Sequence, residues 1–104
     1  NRRVNYRVEP PLTLVATIRI NGGDELSVVE ISRTHISFHL ASPPDEGSPM
    51  TGVLNLSGPE IPISGRVLRV VRDHIDVELD LLIDEYAELL EAYLTRVQML
   101  DFLV

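Results

Sequence analysis

Along most of this chain, apolar and polar residues alternate with a period of two. Leu12, Leu14, Ala16, Ile18 and Ile20 share one face, and Thr13, Val15, Thr17 and Arg19 the other, predicting a half-buried strand over 12–20. Asn21-Gly22-Gly23-Asp24 then marks a tight turn, because Asn and Gly accept positive φ, and 26–31 forms the returning strand of a hairpin. Alternation resumes with Ile36, Phe38 and Leu40 inward and His35, Ser37 and His39 outward. The Ser, Pro, Asp and Gly content of 42–49 predicts a loop, and 50–56 a fourth strand. A long extended segment over 61–72 is expected to bend near Ser64-Gly65, since Gly inside a strand often marks a bulge. Ile75, Val77, Leu79 and Leu81 then alternate with His74, Asp76, Glu78 and Asp80.

From Asp84 the period lengthens to about 3.6. Tyr86, Leu89, Leu90, Tyr93, Leu94, Val97 and Leu100 form one apolar stripe, predicting a helix over 84–100 that buries it against the sheet or against a second chain. Asp84 is the expected N-cap, with Glu85 and Glu88 suiting the positive end of the helix dipole. The sum is six short antiparallel strands and a terminal helix, an all-β fold with one helix whose strand spacing suits a small barrel or sandwich. A closed six-stranded barrel is the economical form, because closure leaves no exposed edge.

Composition narrows the function more than the fold. The 104 residues make one domain with room for one core. With two Phe, three Tyr and no Trp, that core must be aliphatic, and the absence of Cys excludes disulfides, thiolate metal sites and a Cys nucleophile. No apolar run approaches the roughly eighteen residues of a membrane span, and no secretory signal is expected. All nine basic residues are Arg, and three of them lie within the first seven positions. Residues 1–72 carry eight Arg against seven acids, whereas 73–104 carry one Arg against nine, and the formal net charge is -7. An acidic chain of this kind does not bind DNA or RNA by broad phosphate neutralisation. A local Arg cluster still suits a small anionic ligand, since guanidinium binds phosphate bidentately and stacks on flat rings. No nucleophile with a base at a recognisable spacing, phosphate-cradling Gly loop or paired catalytic carboxylates stands out, so no enzyme is expected. His35 and His39 share a strand face without a third ligand beside them, and no metal site is expected.

Arg3 and Arg7, spaced R-x-x-x-R just before the first strand, resemble the first signature of PilZ domains. The second signature of that family, (D/N)-x-S-x-x-G, falls on Glu30-Ile31-Ser32-Arg33-Thr34-His35, and 65–70 resembles the family's G-R-V-x-x-V strand. The resemblance spans essentially the whole chain: a basic arm over 1–9, a barrel over 12–82 and a helix over 84–100, all in a single domain of 1–104. It implies a six-stranded β-barrel that binds cyclic di-GMP, a bacterial second messenger, as a regulatory ligand without further cofactor. It also implies a bacterial cytoplasmic setting, alone or within a larger protein.

By position, Arg3 and Arg7 would grip phosphates and guanine edges, Arg2 would add a phosphate contact or a stacking face, and Ser32 would offer its hydroxyl. Glu30 would replace the family's Asp or Asn as acceptor for guanine N–H groups, and Arg33 flanks the loop within reach of the ligand. Where the family has Gly, this chain has His35, which would be strained if the turn there needs a positive φ. Two functions therefore stay open: a cyclic di-GMP receptor that relays its signal to a protein partner or fused effector domain, and a degenerate PilZ adaptor that binds protein without nucleotide. The helix stripe leaves monomer and dimer open as well.

Overall fold

A computed structural model describes residues 7–102, with side-chain surroundings through Leu100. Six strands, β1 (Ala16–Ile20), β2 (Glu25–Ile31), β3 (His35–His39), β4 (Pro49–Leu56), β5 (Glu60–Val71) and β6 (His74–Leu79), precede one helix, α1 (Asp84–Phe102). The strands close into a barrel in the order β1-β2-β3-β6-β5-β4, with β4 returning to β1. Every pairing is antiparallel. The predicted fold class is therefore the observed one. The β1–β2 connection, residues 21–24, contains a tight turn in which Asn21 (φ 50°) and Gly22 (φ 78°) are both left-handed, and Gly23 N–H donates to the Ile20 carbonyl at 2.8 Å. This left-handed pair matches the twist of the flanking strands.

The barrel interior is filled by alternate residues of all six strands, including Ile18, Ile36, Phe38, Leu54, Ile61, Ile75 and Val77, each no more than 1% exposed. Two bulges interrupt the alternation. On β2 the register passes from Val28↔Phe38 to Glu30↔Ser37, and on β5 from Val67↔Val77 to Arg69↔Asp76. Each extra residue inverts the side-chain sense beyond it. Val28 and Ile31 thus both face the core while Glu30 turns outward, and Val67 is buried while Arg69 turns outward.

The expected bend at Ser64-Gly65 thus lies three residues further on. There the 42–49 loop secures it, with Gly47 N–H donating to the Val67 carbonyl and Val70 N–H to a Glu46 carboxylate oxygen. Gly65 has another role: a Cβ there would collide with the Glu78 carbonyl oxygen of the neighbouring strand.

Three further expectations are corrected. The first predicted strand begins at Ala16, because Leu12–Leu14 form a 3-10 turn after Pro10-Pro11; Leu14 N–H donates to the Pro11 carbonyl, Leu14 is buried and Leu12 is 95% exposed. Leu81 lies beyond β6 and is fully exposed, so the alternation that placed it inside ended with the strand at Leu79. Asp84 sits inside the first helical turn and is not its cap, since the Ile83 carbonyl already accepts the Ala87 N–H. The helical stripe itself is as expected. Leu90, Tyr93, Leu94 and Val97 are buried, and Tyr86, Leu89 and Leu100 pack partly against the core. The Tyr93 hydroxyl donates to the Leu14 carbonyl at 2.6 Å, tying α1 to the 3-10 turn. Among the described residues, no helix is long and apolar enough to cross a membrane.

Candidate functional site

The N-terminal arm joins the barrel through one pair of backbone hydrogen bonds. Val8 N–H donates to the Ile31 carbonyl and Ile31 N–H to the Val8 carbonyl, both at 2.9 Å. Val8 is buried, so the arm is anchored by an apolar contact as well as by its backbone. This bridge places Arg7 on the outer face of β2, β3 and β6. Its two terminal nitrogens donate to the two carboxylate oxygens of Asp76, each at 3.1 Å, in a bidentate fork. The Glu30 carboxylate lies 3.6 Å from the same guanidinium.

The register explains how one arginine meets both acids. Glu30 is opposite Ser37 and Ser37 is opposite Asp76, so the three side chains form a lateral row across β2, β3 and β6. Neighbouring strands are about 4.8 Å apart, so the acids at the ends of this row stand roughly 10 Å apart at the backbone, within reach of one long guanidinium. The row extends to Arg69, the residue opposite Asp76 on β5. The β2 bulge is what turns Glu30 outward into this row, and the β5 bulge does the same for Arg69.

Ser37, between the acids, is wholly buried, and its hydroxyl has no hydrogen-bond partner among the described residues. It was expected on a solvated outer face. The alternation of β3 sets it on the outward side, with Glu30 opposite it on β2 and Asp76 opposite it on β6. A cleft of about 390 Å³ adjoins the row, lined by Arg7, Val8, Glu9, Pro11 and Glu30 on the arm side and by Val97 and Leu100 of α1.

The remaining sequence candidates divide. Arg7 and Glu30 are brought together. Ser32 is buried directly after the bridge, and its hydroxyl oxygen accepts from the backbone N–H of His35 at 3.0 Å and of Thr34 at 3.2 Å. It organises the β2–β3 connection, which a Ser two or three residues before the receiving amides is suited to do. Arg33 is exposed and paired through Nε with Glu91 of α1, on the side of the loop that faces the helix. Arg2 and Arg3 lie outside the described residues. His35 begins β3 and is not among the described residues with positive φ, so the strain expected of a Gly-to-His replacement is absent. Its Nδ1 lies 2.7 Å from the Thr34 hydroxyl.

Asp76 and Ser37 were missed as site residues. Both read correctly as outward positions of their strands, but only the register across β2, β3 and β6 assembles them beneath the arm.

A family model described as the PilZ domain matches residues 1–96. Among curated proteins, none matches the chain by sequence. Among solved structures, the chain superposes on the Bacillus subtilis inhibitor of motility (MotI/DgrA) with a TM-score of 0.75 at 19% identity, covering 95% of this chain and 52% of that one. It is similar to the Borreliella burgdorferi PlzA protein in complex with c-di-GMP (TM-score 0.57, 18% identity, 89% of this chain and 41% of that one). It is also similar to the PilZ domain of CeSA from a cellulose-synthesizing bacterium (TM-score 0.56, 13% identity, 92% and 98%). The chain thus spans about half the length of the motility inhibitor.

Proposed function

The chain belongs to the PilZ family, and from that premise we propose that it is a receptor domain for cyclic di-GMP whose ligand seats between the N-terminal arm and the outer face of β2, β3 and β6. The observation that carries this reading is the docking of Arg7 beside Glu30 through the Val8–Ile31 bridge, which joins the two family signatures in one place. The likeness to PlzA, solved with c-di-GMP, supports the same reading.

The mechanism is a change of partners. Arg7 is paired with Asp76 and Glu30. A cyclic dinucleotide offers phosphates for the guanidinium groups of Arg2, Arg3 and Arg7, and guanine edges whose N–H groups suit the Glu30 carboxylate. Ser32 contributes by fixing the loop that aims Glu30, and Arg33 borders the site from the helix side. Ligand binding favours the arm-closed state because only that state completes the arginine contacts, and the changed surface is what a partner or attached domain would read. Isothermal titration of the chain with cyclic di-GMP, beside an Arg3→Ala, Arg7→Ala double variant, tests this. Saturable binding that the double variant loses supports it. No binding by the wild-type chain at micromolar protein and moderate salt overturns it.

A second reading, a nucleotide-independent protein adaptor, is favoured by one observation. Leu81 and Ile83 are exposed at 100% and 60% beside the exposed acids Asp80, Asp84 and Glu85, which is a surface suited to a basic, partly apolar partner. If this reading holds, a Leu81→Ser, Ile83→Ser double variant loses its partner while dinucleotide has no effect on the complex.

A further inference from the structure

The Arg7–Asp76 contact carries information about what else that carboxylate can hold. Asp76 accepts two parallel N–H bonds from the guanidinium fork, 3.1 Å to each oxygen. One edge of guanine presents a similar pair of parallel donors, the ring N1–H and the exocyclic amine. Adenine presents no such pair on that edge, and hypoxanthine keeps the ring N–H but lacks the amine. The position is also prepared on either side. Arg69 stands directly opposite Asp76 on β5. On β3 the neighbouring Ser37 is fully buried and its hydroxyl has no partner among the described residues, so it is a hydrogen-bonding group left unused beside Asp76. A buried hydroxyl left unmatched is costly, and native proteins keep few of them.

Resting on the reading of this chain as a cyclic di-GMP receptor, we infer that Asp76 is a base-reading residue whose carboxylate exchanges the Arg7 fork for the guanine donor edge, with the neighbouring Ser37 hydroxyl as an added contact. In the exchange Arg7 turns from Asp76 to a phosphate, so its charge stays neutralised. Asp76 keeps two hydrogen bonds and has Arg69 as its neighbouring cation. The Arg7 fork thus occupies the position on Asp76 that the guanine edge would take. The exchange makes β6 part of the recognition surface and gives Asp76, with Glu30, a say in which base is accepted.

The test is a ratio of affinities. Cyclic di-GMP and its di-inosine analogue are titrated calorimetrically into the wild-type chain and into Asp76→Asn. A carboxamide offers one acceptor and one donor, so it accepts the ring N–H but opposes the exocyclic amine. The wild type is expected to prefer guanine by about tenfold or more, as one hydrogen bond to a charged acceptor implies. In Asp76→Asn the ratio falls several-fold, leaving only the share that Glu30 supplies. The ratio is read because releasing Arg7 shifts both affinities alike. Asp76→Ala, which removes the acceptor without offering a donor, is expected to lower the ratio too and serves as the second variant, with far-UV circular dichroism confirming that each is folded. A wild type that binds cyclic di-GMP, with variants that keep its guanine preference, overturns this inference and leaves the receptor reading standing. A wild type that binds neither dinucleotide overturns both.

Discussion

Replacing Tyr93 by Phe isolates the bond that fastens the helix to the barrel. Tyr93 is 2% exposed, and its hydroxyl donates to the Leu14 carbonyl at 2.6 Å across 79 positions of sequence. Phe keeps the ring and its packing and removes only the oxygen. The loss of one hydrogen bond, together with a carbonyl left without its partner beside buried Leu14, is expected to cost about 1–3 kcal/mol. For a domain of this size each kcal/mol corresponds to about 4–8 °C in Tm. Urea unfolding at neutral pH, followed by circular dichroism, measures the difference, and the slope of the transition should be unchanged.

The same variant has a pH signature. Burial pushes the Tyr93 phenol up to about 12, against a weaker opposing pull from Arg96, while in the unfolded chain it titrates near its ordinary value of 10.0. Between those values the folded state still holds a proton that the unfolded state has released. Stability is therefore fully present below about pH 10 and falls as pH rises towards 12, by at most about 1.4 kcal/mol per pH unit. The phenylalanine side chain of the variant has no proton to hold. The gap between wild type and Tyr93→Phe must narrow over that interval, other titrating groups cancelling in the difference. A neutral-pH change below about 0.3 kcal/mol, or a gap that stays constant to pH 12, would refute the argument that this hydroxyl is both bonded and dry.

Four other variants extend the test. Gly65→Ala should destabilise by about 1–3 kcal/mol in chemical denaturation, because its Cβ would meet the Glu78 carbonyl and β5 must shift away from β6. Arg7→Ala should change stability by no more than about 1 kcal/mol, since its side chain is 33% exposed and partly solvated pairs contribute little, yet on the receptor reading it removes most dinucleotide affinity; titration and melting on the same sample separate the two effects. Phe38→Ala, emptying the centre of the barrel, should cost about 3–5 kcal/mol, whereas Leu81→Ser should lie within about 0.5 kcal/mol of wild type by the same unfolding assay.

The sequence by itself determined the strands, their turns and the helix, because these depend on signals a few residues long. Alternation placed Ile36, Phe38, Ile75 and Val77 inside, Asn21-Gly22 closed the first hairpin, and the change of period marked the helix. The positions of Arg7, Glu30 and Ser32 were legible too, as matches to the family signatures. What Arg7 touches was not. Its partner Asp76 is 69 positions away and reaches it only through the register of β2, β3 and β6. That register depends on an extra residue in β2 and another in β5, each inverting the side-chain sense of the residues beyond it; no local pattern revealed the first, and Gly65 signalled the second three residues too early.

Tertiary structure likewise decided that Ser37 is buried although the alternation of β3 turns it outward. It decided that Leu12 leaves its strand, because Pro11 sets up a 3-10 turn and Leu14 is then held from α1 by Tyr93. Local sequence sets backbone conformation residue by residue. Which side chains meet across a closed barrel is settled by register, and register is a property of the whole sheet.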